Sequence, residues 1–592
     1  MKRRVANNVN KKTYDVMLHI FENGLINQRN ISEKTQYSLG SVNKSIKELR
    51  TKGLLKEDDN LSDNACELIY QRSPRSAVIL AAGLGLRMVP VNHDIPKALI
   101  RVRGEVLIER LIRQLREVSI TDIYIVVGYM KEHFEYLIDE YNVQLIVNQN
   151  YAFRNNLESL SLVSSLINNT YIIPCDFYCK ENPFKKYELY SWYMIGNDVT
   201  DDYAVHVSRN FEIRKLENEV GNKMIGIAYI CSDIQDKFIR KLNTLSNDSK
   251  YYHSYWEEVL FEQKTMIVFA NVVDSKKYIE INTYEQLINF DQNSDDLDND
   301  AIQMIEDSFH IGKNEIKNIE VLKKGMTNRS FYFTVDHKKY IMRIPGEGTS
   351  HLINRFQEFE VYEKIKYLSI CDEIISIDPK TGYKITSFIE NARTCDSNNL
   401  NDIEICMKKL RTFHSLNIQV NHDFNLFDKI DFYQSLWESK NSIYKDYSQV
   451  KQNVFSLKQF IDTCEKARCL THIDAVPDNF LIYGNDEVRL IDWEYAGMQD
   501  PHVDIAMFCI YALYDKTQID QLIDIYFENE CDKETRIKIY AYISICGLLW
   551  SNWCEYKRDL GIEFGEYSIR QYRYAKEYYK IVQKELGENC NE

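Results

Sequence analysis

Residues 76–88 read SAVILAAGLGLRM, a run of small and apolar residues that passes without a break into two spaced glycines and an arginine. An uninterrupted run of that kind suits a strand buried on both faces, and glycines at its end let the backbone turn tightly and approach a ligand closely. VLIERLIRQLREV follows with helical spacing, and DIYIVVGYM, LIVNQN and TYIIPCDFY return to β-rich character. Strands alternating with helices specify βαβ units and a mainly parallel sheet, so this part of the chain is α/β.

With 592 residues the chain is too long for one hydrophobic core, and roughly three or four domains are expected. Residues 1–56 hold twelve Lys and Arg against four acids, although the whole chain carries a net charge of −15. That basic stretch reads as short helices, the third starting after Ser38 with Val42, Ile46 and Leu49 at helical spacing and closing at Lys52-Gly53. It resembles a winged helix-turn-helix over residues 1–72, which implies that Ser41, Asn43, Lys44 and Lys47 share a face that would meet DNA; a packing or dimerisation module is the alternative. Beyond Tyr284, the acidic NFDQNSDDLDNDAIQ is expected to be an exposed boundary at 291–308, between the α/β domain at 75–290 and a third domain at 309–592. The third domain opens with β-rich stretches and becomes mostly helical.

No apolar run approaches the roughly 20 residues that a membrane helix needs, and the basic start lacks the apolar core of a secretion signal. A soluble, cytoplasmic chain is therefore expected. Fourteen cysteines include no CxxC pair, and Cys175 and Cys179 have no matching pair for zinc, which suits reduced thiols. The net negative charge argues against a protein that coats nucleic acid as a whole.

Ten residues after Arg87 comes Pro96-Lys97-Ala98-Leu99. Backbone N–H groups at glycines can cradle phosphates, and an arginine with a lysine adds charge where a pyrophosphate leaves. LAAGxGxRM with PKAL, VGYMKEHFEYL, VNQNYAFRNNLESL and IIPCDFY together resemble bacterial CTP:phosphocholine cytidylyltransferases over about residues 75–290. The resemblance implies a Rossmann-like nucleotidyltransferase fold in which Ala82, Gly83, Gly85 and Arg87 hold CTP and Lys97 stabilises charge at the α-phosphate. It also implies that Asn155, Asn156 and Ser159 line the nucleotide or acceptor pocket and that Asp176 binds Mg²⁺. Leu86 stands where Ser or Thr is usual, and Asn282 where relatives carry a second metal-binding aspartate, so the metal is expected to lean on Asp176 or on Glu280. A trimethylammonium group is recognised by aromatic faces with acids nearby, and Trp192, Tyr229 and Trp256, with Glu257 and Glu258 adjacent, are the candidates.

A second constellation lies in LTHIDAVPDNFLIYGNDEVRLIDWEYAG, residues 470–497. His472-Ile473-Asp474 followed by Asn479 has the spacing HxDxxxxN, and Asp492 comes thirteen residues later, beyond a strand-like run. Phosphoryl transfer needs an acid at the attacking hydroxyl and two oxygen ligands for Mg²⁺, and Asp474, Asn479 and Asp492 fit those roles in order. His472 is expected to support the loop rather than react. HIDAVPDNF, RLIDWEYAGMQDPHVDIAMF and WSNWCEYKRDLGIEFGEYSIRQYRYAKEYY resemble bacterial choline kinases over nearly all of 310–585, which implies a bilobal protein-kinase-like fold. Gly325, Thr327 and Asn328 would form the nucleotide loop, Arg343 would take the place of the usual lysine with Glu358 as its ion-pair partner and Glu360 as competitor, and Ile385–Glu390 would form the hinge. Glu494, Tyr495, Trp550, Trp553, Tyr556 and Tyr567 would furnish an aromatic and acidic box for the ammonium group, while Asp500 and Asp504 would brace the loop.

The two resemblances share an intermediate. Choline and ATP would give phosphocholine, and phosphocholine with CTP would give CDP-choline and pyrophosphate, both with Mg²⁺, supplying phosphocholine for cell-surface polysaccharide. Ethanolamine is the competing substrate, and a DNA-binding regulator that senses choline metabolites through enzyme-like domains is the competing class of function.

Overall fold

The computed structural model describes residues 9–24, 27–91, 95–201, 204–216, 220–261, 266–322, 328–346, 352–560 and 564–587. The chain divides into two compact units, residues 1–303 and 304–592. Among the described residues no helix is long and apolar enough to cross a membrane.

The first unit opens with helices Lys11–Asn23, Gln28–Thr35 and Leu39–Thr51, a two-residue bridge between Leu55 and Leu61, and helix Asp63–Arg72. The Ser38 hydroxyl accepts from the Ser41 N–H to start the third helix, and Gly53 takes φ = 66° just past its end, a conformation open to glycine at little cost. Asn43, Lys44 and Lys47 are exposed and Ser41 half-buried, while Val42, Ile46 and Leu49 point into the core.

Among the described residues the α/β part is a nine-stranded mixed sheet. Its centre is parallel, in the order Thr170–Pro174, Ser76–Ala81, Asp122–Val127, Gln144–Val147, with Ala77 opposite Tyr171 on one side and Ile123 on the other. Gly221–Ile230 adds to it antiparallel and carries Trp192–Thr200. Strand alternation splits Ser76–Ala81 between two cores: Val78 and Leu80 face one, and Ala77, Ile79 and Ala81 the other. The second of these cores is continuous with the winged helix, since it also contains Met17, Ile46, Leu49 and Ile69. Polar groups pin the same junction: Arg72 Nη1 donates to the Tyr14 hydroxyl (3.1 Å) and the Leu189 carbonyl (2.9 Å), and the Tyr190 hydroxyl donates to Asp15 Oδ1 (2.5 Å).

The acidic segment 291–308 is not the open linker that its composition suggests. Asp291 and Asp296 accept from the backbone N–H groups of Arg103 and Arg101, Leu297 is buried, and Asp300–Phe309 is a helix with Ile302 and Ile305 buried.

The second unit is bilobal. A five-stranded antiparallel sheet, Lys317–Val321, Asn328–Val335, Lys338–Pro345, Lys384–Ser387 and Ile374–Ile377 in that order, carries helix Arg355–Ile365. The rest is helical around the small hairpin Phe480–Tyr483/Glu487–Leu490 and the pair Cys469–Thr471/Gly497–Gln499. Its spine is helix Lys533–Asp559, buried over most of its length against Glu566–Glu585. The two backbones come so close at Gly547 that a Cβ there would lie 2.7 Å from the Gln571 carbonyl.

Candidate active sites

In the first unit the loop after Ser76–Ala81 brings Ala82, Gly83 and Gly85 to the end of the sheet. A side chain at Gly83 would meet nothing within 4 Å, and Gly85 sits at φ = 60°. Lys97 Nζ lies 2.7 Å from Asp176 Oδ2 and 2.5 Å from Asn282 Oδ1, and Arg87 Nη2 is 3.3 Å from the same amide oxygen. Asp176 follows strand Thr170–Pro174, and its carbonyl accepts from Ile281 N–H (3.0 Å), which ties the two metal candidates together. Asp176 Oδ1 is buried without a protein partner, a position suited to a cation. Asn282 Oδ1 already serves two cationic side chains, its Nδ2 donates to Glu280, and Glu280 pairs with Lys223 (2.9 Å). The donor set fits an Mg²⁺ anchored mainly by Asp176 and completed by nucleotide phosphates, as this ion commonly is. Among the described residues no group of three or more His, Cys, Asp or Glu side chains forms a ready metal cage. The Leu86 side chain lies outside the described residues.

The aromatic contacts expected at Trp192, Tyr229 and Trp256 are corrected. Asn155 caps helix Asn156–Ser161 and donates to the His253 carbonyl (3.2 Å), Asn156 Oδ1 accepts from Trp256 N–H (2.8 Å), and Ser159 Oγ accepts from Asn148 (3.0 Å), bonds that fix the three in place. Trp192 and Tyr229 lie in the core shared with the winged helix, where the Tyr229 hydroxyl donates to the Arg72 carbonyl, and neither offers a ring face to a ligand. Trp256 is closed in between Tyr193 (5.9 Å) and Phe238 (6.2 Å). The neighbours are more informative. Tyr193 occupies the face opposite Trp192, and its hydroxyl donates to Glu257 Oε1 (3.1 Å), whose Oε2 is buried without a partner. Burial raises the Glu257 carboxyl to about 7.

In the second unit a cleft of about 600 Å³ is lined by Arg343, Lys384, Asp474, Asn479, Asp492 and Glu494, with aromatic walls at one end. Asp504, on helix His502–Tyr511, accepts from the backbone N–H groups of His472 (2.9 Å) and Ile473 (2.7 Å) and from His414 Nε2 (3.0 Å). Those bonds hold Ile473 at φ = 70°, a region that β-branched residues avoid, and thereby aim Asp474. His472 is structural: burial lowers it to about 4, so the neutral ring donates from Nε2 to the Ile491 carbonyl (3.0 Å). Asp500 is bound by Lys538 (2.9 Å) and Tyr542 (3.1 Å), a bracing role like that of Asp504.

Asn479 Nδ2 donates to the Asp474 carbonyl (2.9 Å) and to its Oδ2 (3.1 Å). Burial, and then the charges of Asp492 and Glu494, push the Asp474 carboxyl up to about 8. Asp492 stands at φ = 66° with Oδ1 3.6 Å from Arg343 Nη1. Arg343 pairs with Glu358 at 2.5 Å and 2.8 Å, and Glu360 instead meets His422 (3.3 Å) and Asn421 (2.8 Å). Burial alone would raise Glu358, but the charge and hydrogen bond of Arg343 hold it at about 2. Thr386, Ser387, Phe388 and Ile389 of the expected hinge line the same cleft. Gly325 and Thr327 lie outside the described residues, and Asn328 is described only as the first backbone position of its strand.

At the other end Tyr495, Trp550, Trp553 and Tyr567 line the cleft, with Trp550 edge-on to Tyr495 (5.7 Å) and to Trp553 (5.4 Å). Tyr556 is corrected: it is half-buried and does not line the cleft. Glu494 lines the cleft but also lies 3.3 Å from Arg355 and 3.7 Å from Arg343. Sequence reasoning missed Lys384, directly across the strand pair from Arg343 with Nζ 2.5 Å from the Tyr362 hydroxyl, and also Asp478 and Tyr511.

A Rossmann-like sheet with a glycine loop, and a bilobal unit with an HxDxxxxN loop, define a chain of two nucleotide-dependent transferases behind a winged helix. Family models for "Winged helix-turn-helix DNA-binding", "MobA-like NTP transferase domain" and "Choline/ethanolamine kinase" match residues 9–56, 77–182 and 319–546. A choline-phosphate cytidylyltransferase of Streptococcus pneumoniae is 30% identical over 214 residues, 35% of this chain and 93% of that protein. Protein LicA of Haemophilus influenzae is 30% identical over 264 residues, 42% of this chain and 76% of that protein. A crystal structure of choline kinase LicA from Streptococcus pneumoniae aligns at 29% identity with TM-score 0.42, covering 47% of this chain and 98% of that one. The chain belongs to the choline-phosphate cytidylyltransferase family in its first unit and to the LicA family in its second.

Proposed function

We propose that the chain makes CDP-choline in two steps, phosphorylating choline with ATP in residues 309–592 and joining the phosphocholine to CMP from CTP in residues 75–290. The observation that carries this reading is the single cleft in which Asp474, Asn479 and Asp492 face aromatic walls. Asp474 orients the choline hydroxyl and accepts its proton as the oxygen attacks the γ-phosphorus, and the bond to ADP breaks. Asn479 and Asp492 are the residues that would hold Mg²⁺, which offsets phosphate charge when bound, and the Arg343–Glu358 pair fixes a cation toward the nucleotide. Tyr495, Trp550, Trp553 and Tyr567 present ring faces to the ammonium group.

In the first unit a phosphate oxygen of phosphocholine attacks the α-phosphorus of CTP, and pyrophosphate leaves. Lys97 and Arg87 offset the charge that develops, the glycine loop supplies backbone donors, and Asp176 is the carboxylate that would anchor Mg²⁺. Glu257, held by Tyr193, supplies an acid toward the ammonium group. Residues 9–72 add a DNA-facing helix through Asn43, Lys44 and Lys47, and Lys44→Glu with Lys47→Glu should weaken salt-dependent retention on duplex DNA. The test of the enzymatic reading is mass analysis of products from choline, ATP, CTP and Mg²⁺. Phosphocholine and CDP-choline are expected, and formation of neither would sink it.

A further inference from the structure

A cation-binding pocket needs negative charge that the protein has not already neutralised. Of the acids at the acceptor end of the kinase cleft, Glu494 lies within 4 Å of two arginines, Asp492 lies 3.6 Å from Arg343, and Asp474 is the group that takes the substrate proton. Asp478 is different. It sits in the tight turn Pro477–Asn479, four residues from Asp474, is exposed, and lines the cleft together with Tyr511. Among the described residues no Lys, Arg or His lies within 4 Å of it, and its one side-chain bond is neutral, the Tyr511 hydroxyl donating to Oδ2 at 2.7 Å. Tyr511 projects from helix His502–Tyr511, the same helix whose Asp504 fixes the Asp474 loop, and its ring meets Tyr567 of the aromatic wall at 5.9 Å and 66°. The helix therefore sets the position of Asp474 and, through Tyr511, that of Asp478 and of one aromatic wall.

We propose that Asp478 is a specificity-determining residue of the kinase site, the uncompensated carboxylate that selects a permanently cationic alcohol over a neutral one of the same shape, and that Tyr511 is its positioning residue. This rests on the kinase reading of the cleft and adds to it how the acceptor's charge is recognised. Aromatic faces favour the cation through the ring quadrupole but also bury the methyl surface that a neutral isostere shares, so a carboxylate adds discrimination on charge that the rings do not supply by themselves. A fixed carboxylate acts on the charge alone. Holding it with a tyrosine rather than a lysine or arginine keeps that charge available.

The test uses the full chain and two ligands of the same shape: choline, and 3,3-dimethylbutan-1-ol, in which carbon replaces the charged nitrogen, as a competitive inhibitor of choline phosphorylation. Asp478→Asn is expected to raise the choline KM roughly five- to tenfold while kcat and the ATP KM stay within about twofold and the inhibition constant of the neutral alcohol does not change. Tyr511→Phe, which keeps the ring against Tyr567, is expected to shift the choline KM in the same direction by a smaller factor, and it carries the test if Asp478→Asn does not fold. Equal weakening of both ligands would assign the pair a merely structural role and overturn the proposal, as would an unchanged choline KM. Absence of choline phosphorylation by the unaltered chain would instead count against the kinase reading itself.

Discussion

Asp474 is surrounded by other carboxylates in a buried site, which is why its carboxyl rises to about 8 before any cation is present. Its position depends on geometry that Asp504 imposes from the next helix, so the side chain is aimed even though its backbone neighbour Ile473 is strained. Asp474→Asn keeps the shape and the Asn479 contact to the backbone but cannot take a proton. It should slow phosphocholine formation by roughly 10²- to 10⁴-fold, with no change in the CTP-dependent step measured from added phosphocholine. Glu188 gives a second residue-scale prediction. It is buried in the first unit, accepts from the Tyr171 hydroxyl (3.3 Å), and burial raises it from 4.5 to about 7. A raised folded-state value means that its contribution is favourable below about pH 4.5 and is lost as the pH climbs through about 7. At about 1.36 kcal/mol per pH unit, the gap is worth on the order of 3 kcal/mol. Glu188→Gln should therefore protect the cytidylyl activity against heating at pH 8 and give no such advantage at pH 5, read as residual activity under standard conditions. At this scale, legibility followed distance along the chain. His472, Asp474 and Asn479 lie within one loop and are legible from their spacing, whereas Trp192 turns out to be buried in the core shared with the winged helix, a placement that no local signal gives. Asp478 and Tyr511 are 33 residues apart, and nothing local links them.

The winged helix is an element of the first unit's core rather than an appendage. Ile46 and Leu49, on the inner face of helix Leu39–Thr51, share one apolar cluster with Ile79, Ile125 and Trp192 of the sheet region. Truncating a fully buried aliphatic side chain in such a cluster costs about 2–5 kcal/mol. Ile46→Ala, which touches no proposed catalytic group, should thus lower the temperature at which cytidylyl activity is lost while leaving choline phosphorylation unaffected. A variant whose cytidylyl half-life is unchanged on heating would show that the helices and the sheet melt separately. The helix itself was readable, since Ser38 and Gly53 are local punctuation. The attachment was not, because Arg72, Leu189 and Tyr229 meet only in three dimensions. The acidic stretch misled for the converse reason: composition counts charges such as Asp291 and Asp296 without showing that backbone N–H groups await them.

Each transferase site is built within one unit. The kinase cleft draws on residues between Leu322 and Tyr567, and the cytidylyl groups run from Ala82 to Asn282. The order along the chain is the reverse of the order of reaction, and none of the residues that line the kinase cleft is among the cytidylyl groups. Fusion keeps producer and consumer at equal concentration on one chain. Two disabled chains should accordingly complement one another. Asp474→Ala removes the acid of the second unit and leaves the first, so it should convert phosphocholine but not choline. Lys97→Ala removes the cation between Asp176 and Asn282, so it should accumulate phosphocholine and stop. An equal mixture of the two should turn choline into CDP-choline after a lag while free phosphocholine builds up, and adding phosphocholine at the start should abolish that lag. A mixture that stays silent because Lys97→Ala forms phosphocholine but does not release it, while Asp474→Ala still converts added phosphocholine, would mean that the intermediate never reaches solution, and the two sites would have to be treated as one.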